Sequence, residues 1–118
     1  MSGTVFIVED DPDFSMVLAE MLADEGFTPV QFSDGLQALR SLDRETPALI
    51  VTDLVMPGMS GAQLVRALRA DERWREIPVV VVTGGTDMAA GAWLDAQVVY
   101  KPDVASLLSV LSAAARVG

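Results

Sequence analysis

The chain has 118 residues, 51% of them apolar, which is the size of one domain with a real core. Its 8 basic and 17 acidic residues give a net charge of −9, so direct binding to nucleic-acid phosphates or anionic lipid is disfavoured. It contains no cysteine and no histidine, which excludes thiol catalysis, disulfides, thiolate or imidazole metal sites and Ser-His-Asp triads.

The opening Met1-Ser2-Gly3-Thr4 carries neither a basic leader nor a long apolar run, so a cytoplasmic protein with no membrane segment is expected. The first apolar run, Val5–Val8, is too short for a helix and continuous rather than alternating, as in a strand buried on both faces. In Pro12–Glu25 the residues Phe14, Val17, Leu18, Met21 and Leu22 recur with helical spacing. Asp11 and Pro12 suit the N-cap and first turn of that helix, and Gly26 its stop.

Val30–Phe32 reads as a second strand, followed by a helix from about Asp34 to Glu45 that uses Leu36, Leu39 and Leu42. Leu49–Val51 reads as the third strand. A helix then starts at Ser60, where Ser60 and Gln63 have capping-box spacing, and buries Leu64, Val65 and Leu68. Val79–Val82 and Val98–Tyr100 are the last two strands, and 104–116 the last helix. The Gly84–Asp95 segment between them leaves room only for a short fourth helix. This alternation predicts one α/β domain over residues 1–118, with a parallel sheet covered on both faces.

Ligands of open parallel sheets bind beyond the carboxyl ends of the strands. There the first strand ends in Glu9-Asp10-Asp11, the third in Asp53, the fourth in Thr83 and the fifth in Lys101. If the strands order as 2-1-3-4-5, neighbouring ends are about 4.8 Å apart and Lys101 starts about 10 Å from Asp53. Acids converging on one edge repel unless a cation neutralises them, and an all-oxygen donor set suits Mg²⁺. Metal, hydroxyl and ammonium around a further carboxylate suit phosphoryl transfer, with Asp53 as nucleophile and Mg²⁺, Thr83 and Lys101 each taking a phosphoryl oxygen. Asp11 reads as a helix cap rather than a ligand. Lys101 is the single lysine beside seven arginines, and a compact ammonium suits one phosphate oxygen.

These segments resemble the receiver domain of two-component response regulators. The resemblance rests on Ile7-Val8-Glu9-Asp10-Asp11-Pro12, on Val51-Thr52-Asp53-Leu54-Val55-Met56-Pro57-Gly58-Met59-Ser60-Gly61, on Val80-Val81-Val82-Thr83-Gly84 and on Tyr100-Lys101-Pro102. It implies a flavodoxin-like, doubly wound (βα)5 fold with a five-stranded parallel sheet in the order 2-1-3-4-5. It implies a phosphoacceptor at Asp53, a switch hydroxyl at Thr83 and a phosphate-binding Lys101 ahead of a cis proline. Mg²⁺ would be held by Glu9, Asp10, Asp53 and the backbone carbonyl of Val55. The implied phosphodonor is a sensor histidine kinase or histidine phosphotransfer protein, and output would pass by contact with a downstream protein. The fourth helix, fifth strand and fifth helix form the face the family also uses for homodimers.

The chain departs from the family pattern on that same face. Thr83 and Lys101 are 18 positions apart, shorter than the family norm by about one turn of 3.6 residues, and this places the shortening in the fourth helix or its entry. Val98 replaces a usual aromatic three residues before the lysine, and Asp103 stands where an apolar residue is common. The last helix has no charge between Asp103 and Arg116. Intact phosphorylation chemistry with a weakened or rerouted Thr–aromatic coupling is therefore expected.

Three other functions share this topology or this chemistry. A haloacid-dehalogenase-like hydrolase needs an Asp-x-Asp first loop and usually a cap, and a flavodoxin-like FMN carrier is disfavoured by the acidic first loop. A receiver-like interaction module without phosphoryl turnover is the remaining alternative.

Overall fold

The computed structural model describes residues 3–54, 58–83, 97–100, 109 and 113, with the backbone alone at 83 and 97–100. Its elements are β1 (Thr4–Val8), α1 (Pro12–Asp24), β2 (Thr28–Phe32), α2 (Gly35–Leu42), β3 (Leu49–Asp53), α3 (Gly61–Ala70), β4 (Val79–Thr83) and β5 (Gln97–Tyr100). The strands form one parallel sheet in the order β2-β1-β3-β4-β5. The crossover from β2 past β1 to β3 makes β1 and β3 adjacent, and this adjacency brings two acidic strand ends together.

Strand side chains alternate between two cores, as the period of two requires. Val5 and Ile7 of β1, Leu49 and Val51 of β3, and Val80 and Val82 of β4 pack with Leu18 and Leu22 of α1. Phe6 and Val8, Ile50, and Val79 and Val81 face the other way, onto Ala38 and Leu42 of α2 and Leu64, Val65 and Leu68 of α3. Both faces of β1 and β3 are therefore dry, which explains why their sequences are continuous apolar runs.

Helix ends follow local chemistry. Asp11 caps α1 by accepting from the Asp13 amide, and Pro12 occupies the first turn, where no amide donor is required. Gly26 follows with φ of 93°, a conformation that strains other residues. Asp34 caps α2 through the Gln37 amide. Ser60 and Gln63 form a reciprocal capping box on α3.

Three expectations need correction. The second helix spans only Gly35–Leu42, and its buried stripe is Gly35, Ala38 and Leu42. Leu36 is instead 47% exposed: with the helix capped at Asp34, its inward face carries Gly35, Ala38 and Leu42, and Leu36 lies off that face. On α1, Val17 is exposed and Ser15 takes a buried position beside Leu18 and Leu22. The edge strand β2 is only partly covered, which also lets it accommodate Pro29 at no cost to an inner ladder.

Trp74 packs partly buried against the α2–α3 core, with the Arg73 guanidinium 4.2 Å above its ring. Ser109 and Ala113 are helical and exposed, in keeping with a last helix over this part of the chain. The short fourth helix, the Gly84–Asp95 segment, Trp93 and the rest of the last helix lie outside the described residues.

Candidate phosphoacceptor and metal site

The register fixes the site. Val8 of β1 lies opposite Thr52 of β3, so the next residues along each strand, Glu9 and Asp53, emerge side by side at the carboxyl edge. Asp10 follows in the turn that leads into α1. The three carboxylates bring one oxygen each to within 4.8 Å of one another. Glu9 is buried, Asp53 half-buried and Asp10 exposed, so the cluster opens to solvent on the side of Asp10.

Backbone and side-chain bonds hold each acid in place. The Glu9 amide donates to the Phe32 carbonyl at 3.0 Å, and a Glu9 carboxylate oxygen accepts from the Asp11 amide at 3.2 Å. The buried Thr52 hydroxyl donates to the Asp53 carbonyl at 3.0 Å. The Leu54 amide donates to Val82 at 3.3 Å, and the Leu54 carbonyl accepts from the Gly61 amide at 2.9 Å. The chain after Asp53 is thus tied both to β4 and to the first residue of α3.

Gly61 is there for lack of a side chain. A β-carbon at this position would strike the Asp53 carbonyl oxygen and sit 2.9 Å from Leu54 Cα, closer than such atoms approach. Gly58, at φ of 74°, makes the turn that precedes the α3 cap.

Electrostatics decides what this cluster can hold. At an effective dielectric constant of about 20, two unit charges 4 Å apart repel by about 4 kcal/mol. Three carboxylates this close favour a hard divalent cation, and hard oxygen donors with no nitrogen or sulfur fit Mg²⁺. A cavity of about 340 Å³ adjoins the pair Glu9 and Asp10, with Pro12, Ser15, Gln31, Phe32, Ser33 and Gln37 in its wall.

Of the residues singled out from the sequence, Glu9, Asp10 and Asp53 come together, and Asp11 is a cap. The backbone of Thr83 follows Val82, the register partner of Asp53, and Thr83 itself pairs with Tyr100. The side chains of Thr83 and Val98, and Val55, Lys101, Pro102 and Asp103 altogether, lie outside the described residues. Sequence reasoning missed Thr52, Gly61, Ser15 and Gln31. Only Gly61 left a signal, as a glycine directly after a serine cap.

A family model of the response regulator receiver domain matches residues 5–102. The DNA-binding response regulator MtrA of Mycolicibacterium smegmatis is 38% identical over 87 residues, which are 74% of this chain and 37% of that protein. This chain spans from 5% to 37% of the length of such curated relatives. A sensor protein from Polaromonas sp. JS666 is 31% identical, with a TM-score of 0.84 over 96% of this chain and 95% of that one. The receiver domain of sensor histidine kinase PA1611 from Pseudomonas aeruginosa PAO1, crystallised with magnesium coordinated in its active-site cleft, is 26% identical. Its TM-score is 0.85, over 98% of this chain and 99% of that one. With the matched span covering most of the sequence and the acidic cleft at the expected sheet edge, this chain belongs to the response regulator receiver domain family.

Proposed function

We propose that the domain is a phosphorylation-dependent signalling switch that accepts a phosphoryl group on Asp53 from a phosphohistidine. The observation that carries this reading is the convergence of Glu9, Asp10 and Asp53 within 4.8 Å at the carboxyl edge of the sheet. An Asp53 carboxylate oxygen attacks phosphorus in line. The phosphorus–nitrogen bond breaks, its electron pair returns to the donor imidazole, and that nitrogen takes up a proton. The product is an acyl phosphate on Asp53.

Glu9, Asp10, Asp53 and the carbonyl of Val55 would hold Mg²⁺, which supplies neutralisation of the negative charge gathered at the phosphoryl oxygens. Asp53 presents its carboxylate half-buried, on backbone tied down through Thr52, Val82 and Gly61, so little reorganisation is needed on attack. Thr83 and Lys101 are assigned the remaining phosphoryl oxygens. The reading is supported by the backbone register, in which Thr83 follows Val82, the partner of Asp53, and pairs with Tyr100, the residue before Lys101 in the sequence. The domain is in this reading a phosphoacceptor that assists its own phosphorylation and dephosphorylation. Its partners are a histidine kinase or phosphotransfer protein and a downstream protein target.

The test is intact mass after incubation with Mg²⁺ and phosphoramidate. A gain of one phosphoryl group, absent without Mg²⁺ and absent in Asp53→Asn, is expected. A wild-type protein that binds Mg²⁺ but gains no mass would instead be an interaction module without phosphoryl turnover.

A further inference from the structure

Ser15 is an odd residue for its place. It occupies the buried stripe of α1 with Leu18 and Leu22, where an apolar side chain would pack better. Its hydroxyl accepts a hydrogen bond from Gln31 Nε2 at 2.8 Å, across from the exposed edge strand β2. Gln31 precedes Phe32, whose carbonyl accepts the Glu9 amide at 3.0 Å. The Ser15 amide in turn donates to the Asp11 carbonyl at 3.0 Å, the first bond of the helix.

Taken in order, these contacts close a ring. It runs from Glu9 through Asp10 and Asp11 into the first turn of α1, across Ser15 to Gln31, and back through Phe32 to Glu9. Asp53 ends β3 and the Glu9 amide is tied to Phe32 just beyond β1, whereas Asp10 lies one residue further into the turn, inside this ring. Both Ser15 and Gln31 also line the cavity next to Glu9 and Asp10.

We infer that the Ser15–Gln31 hydrogen bond is a positioning brace that holds the Asp10 turn in metal-binding geometry. Neither side chain is a ligand. They act through the backbone that carries Asp10, by narrowing the angles at which α1 can leave the turn. This task accounts for a buried serine in the apolar stripe. The inference rests on the Mg²⁺ reading given above.

The test is the Mg²⁺ dissociation constant, measured by calorimetry on the unphosphorylated domain, for wild type, Ser15→Ala, Gln31→Ala and the double variant. Gln31 is exposed and alanine is the stronger helix former at 15, so the thermal midpoints should stay close to wild type. Each single variant should weaken Mg²⁺ binding by about three- to tenfold, less than the roughly 10- to 100-fold for a group bonded directly to a metal ligand. The double variant should be no weaker than the singles, because both remove one bond. Unchanged affinity in both single variants overturns the brace while leaving the metal site intact. Additive losses in the double variant also overturn it, since the two side chains would then act separately. No Mg²⁺ binding by the wild type overturns both readings.

Discussion

The α-carbon of Gly61 lies against the main chain of Asp53, so closely that a β-carbon there would collide with the Asp53 carbonyl oxygen. The first residue of α3 is thereby part of the proposed phosphoacceptor site without offering it a side chain. Gly61→Ala should force the Asp53–Leu54 backbone or the start of α3 to move. Overpacking of this kind costs about 1–3 kcal/mol. Urea unfolding should show that loss, and phosphorylation by phosphoramidate should slow further than the stability change explains. A variant with wild-type stability and wild-type labelling would show that α3 can shift freely at its start.

The same helix start depends on Ser60. Its hydroxyl accepts from the Gln63 amide at 3.2 Å, and the Gln63 side chain accepts from the Ser60 amide at 2.8 Å. Ser60→Ala leaves the Gln63 amide without its cap and should cost about 1 kcal/mol in urea unfolding. Ser60→Asp keeps an acceptor at the cap and should recover most of it. Equal losses in the two variants would locate the role of Ser60 elsewhere than the cap.

That box was readable from the sequence because its two partners lie three residues apart and need no tertiary context. The same holds for Asp11, Pro12 and Gly26 around α1. The strands were readable for a different reason: burial on both faces leaves almost no polar residue in β1, β3 or β4. The acidic site was readable because acids end two different strands that a parallel α/β sheet brings to one edge. Leu36 was misassigned because leucine spacing cannot say which of two faces the cap will turn inward. Ser15, Gln31 and Thr52 were not legible at all, since each works through a bond to residues fixed only by sheet register. Position 15 falls outside the apolar spacing of Phe14, Val17, Leu18, Met21 and Leu22, and only the packed helix shows it buried with Gln31 across from it.

The loop after α3 offers a pH prediction away from the site. The Arg73 guanidinium hydrogen-bonds Asp71 at 2.9 Å and reaches Asp43 at 3.4 Å. Hydrogen bonds from the Arg73 side chain, then from its backbone amide, hold the Asp71 carboxyl below its usual range. A carboxylate with a depressed folded value contributes stability that is present above its unfolded pKa, about 3.9, and that fades as pH falls through the lower folded value. Arg73 is exposed and Asp71 only half-buried, so solvent screening keeps the contribution small. NMR titration should find Asp71 below the ordinary range for an aspartate, and Arg73→Ala should move it up. An unmoved Asp71 would mean that the backbone bond alone sets its titration.

The acidic cluster makes the sharpest thermodynamic prediction, because its repulsion is present before any ligand arrives. A cation that binds only the folded domain stabilises it by about 2.7 kcal/mol at 100 times its dissociation constant. For a domain of this size that corresponds to a rise in melting temperature of roughly 10 °C. Asp10→Asn removes one of the three charges from an exposed position, so nothing buried is left unpaired. The variant should therefore melt higher than wild type in the absence of divalent ions, and most of the Mg²⁺-induced rise should disappear. The two effects share one cause, since the repulsion that destabilises the empty cluster is what the ion relieves. Lower melting of Asp10→Asn without Mg²⁺ would show that hydrogen bonds to Asp10 outweigh repulsion from Glu9 and Asp53. A full Mg²⁺-induced rise in that variant would place the ion elsewhere on this strongly acidic domain.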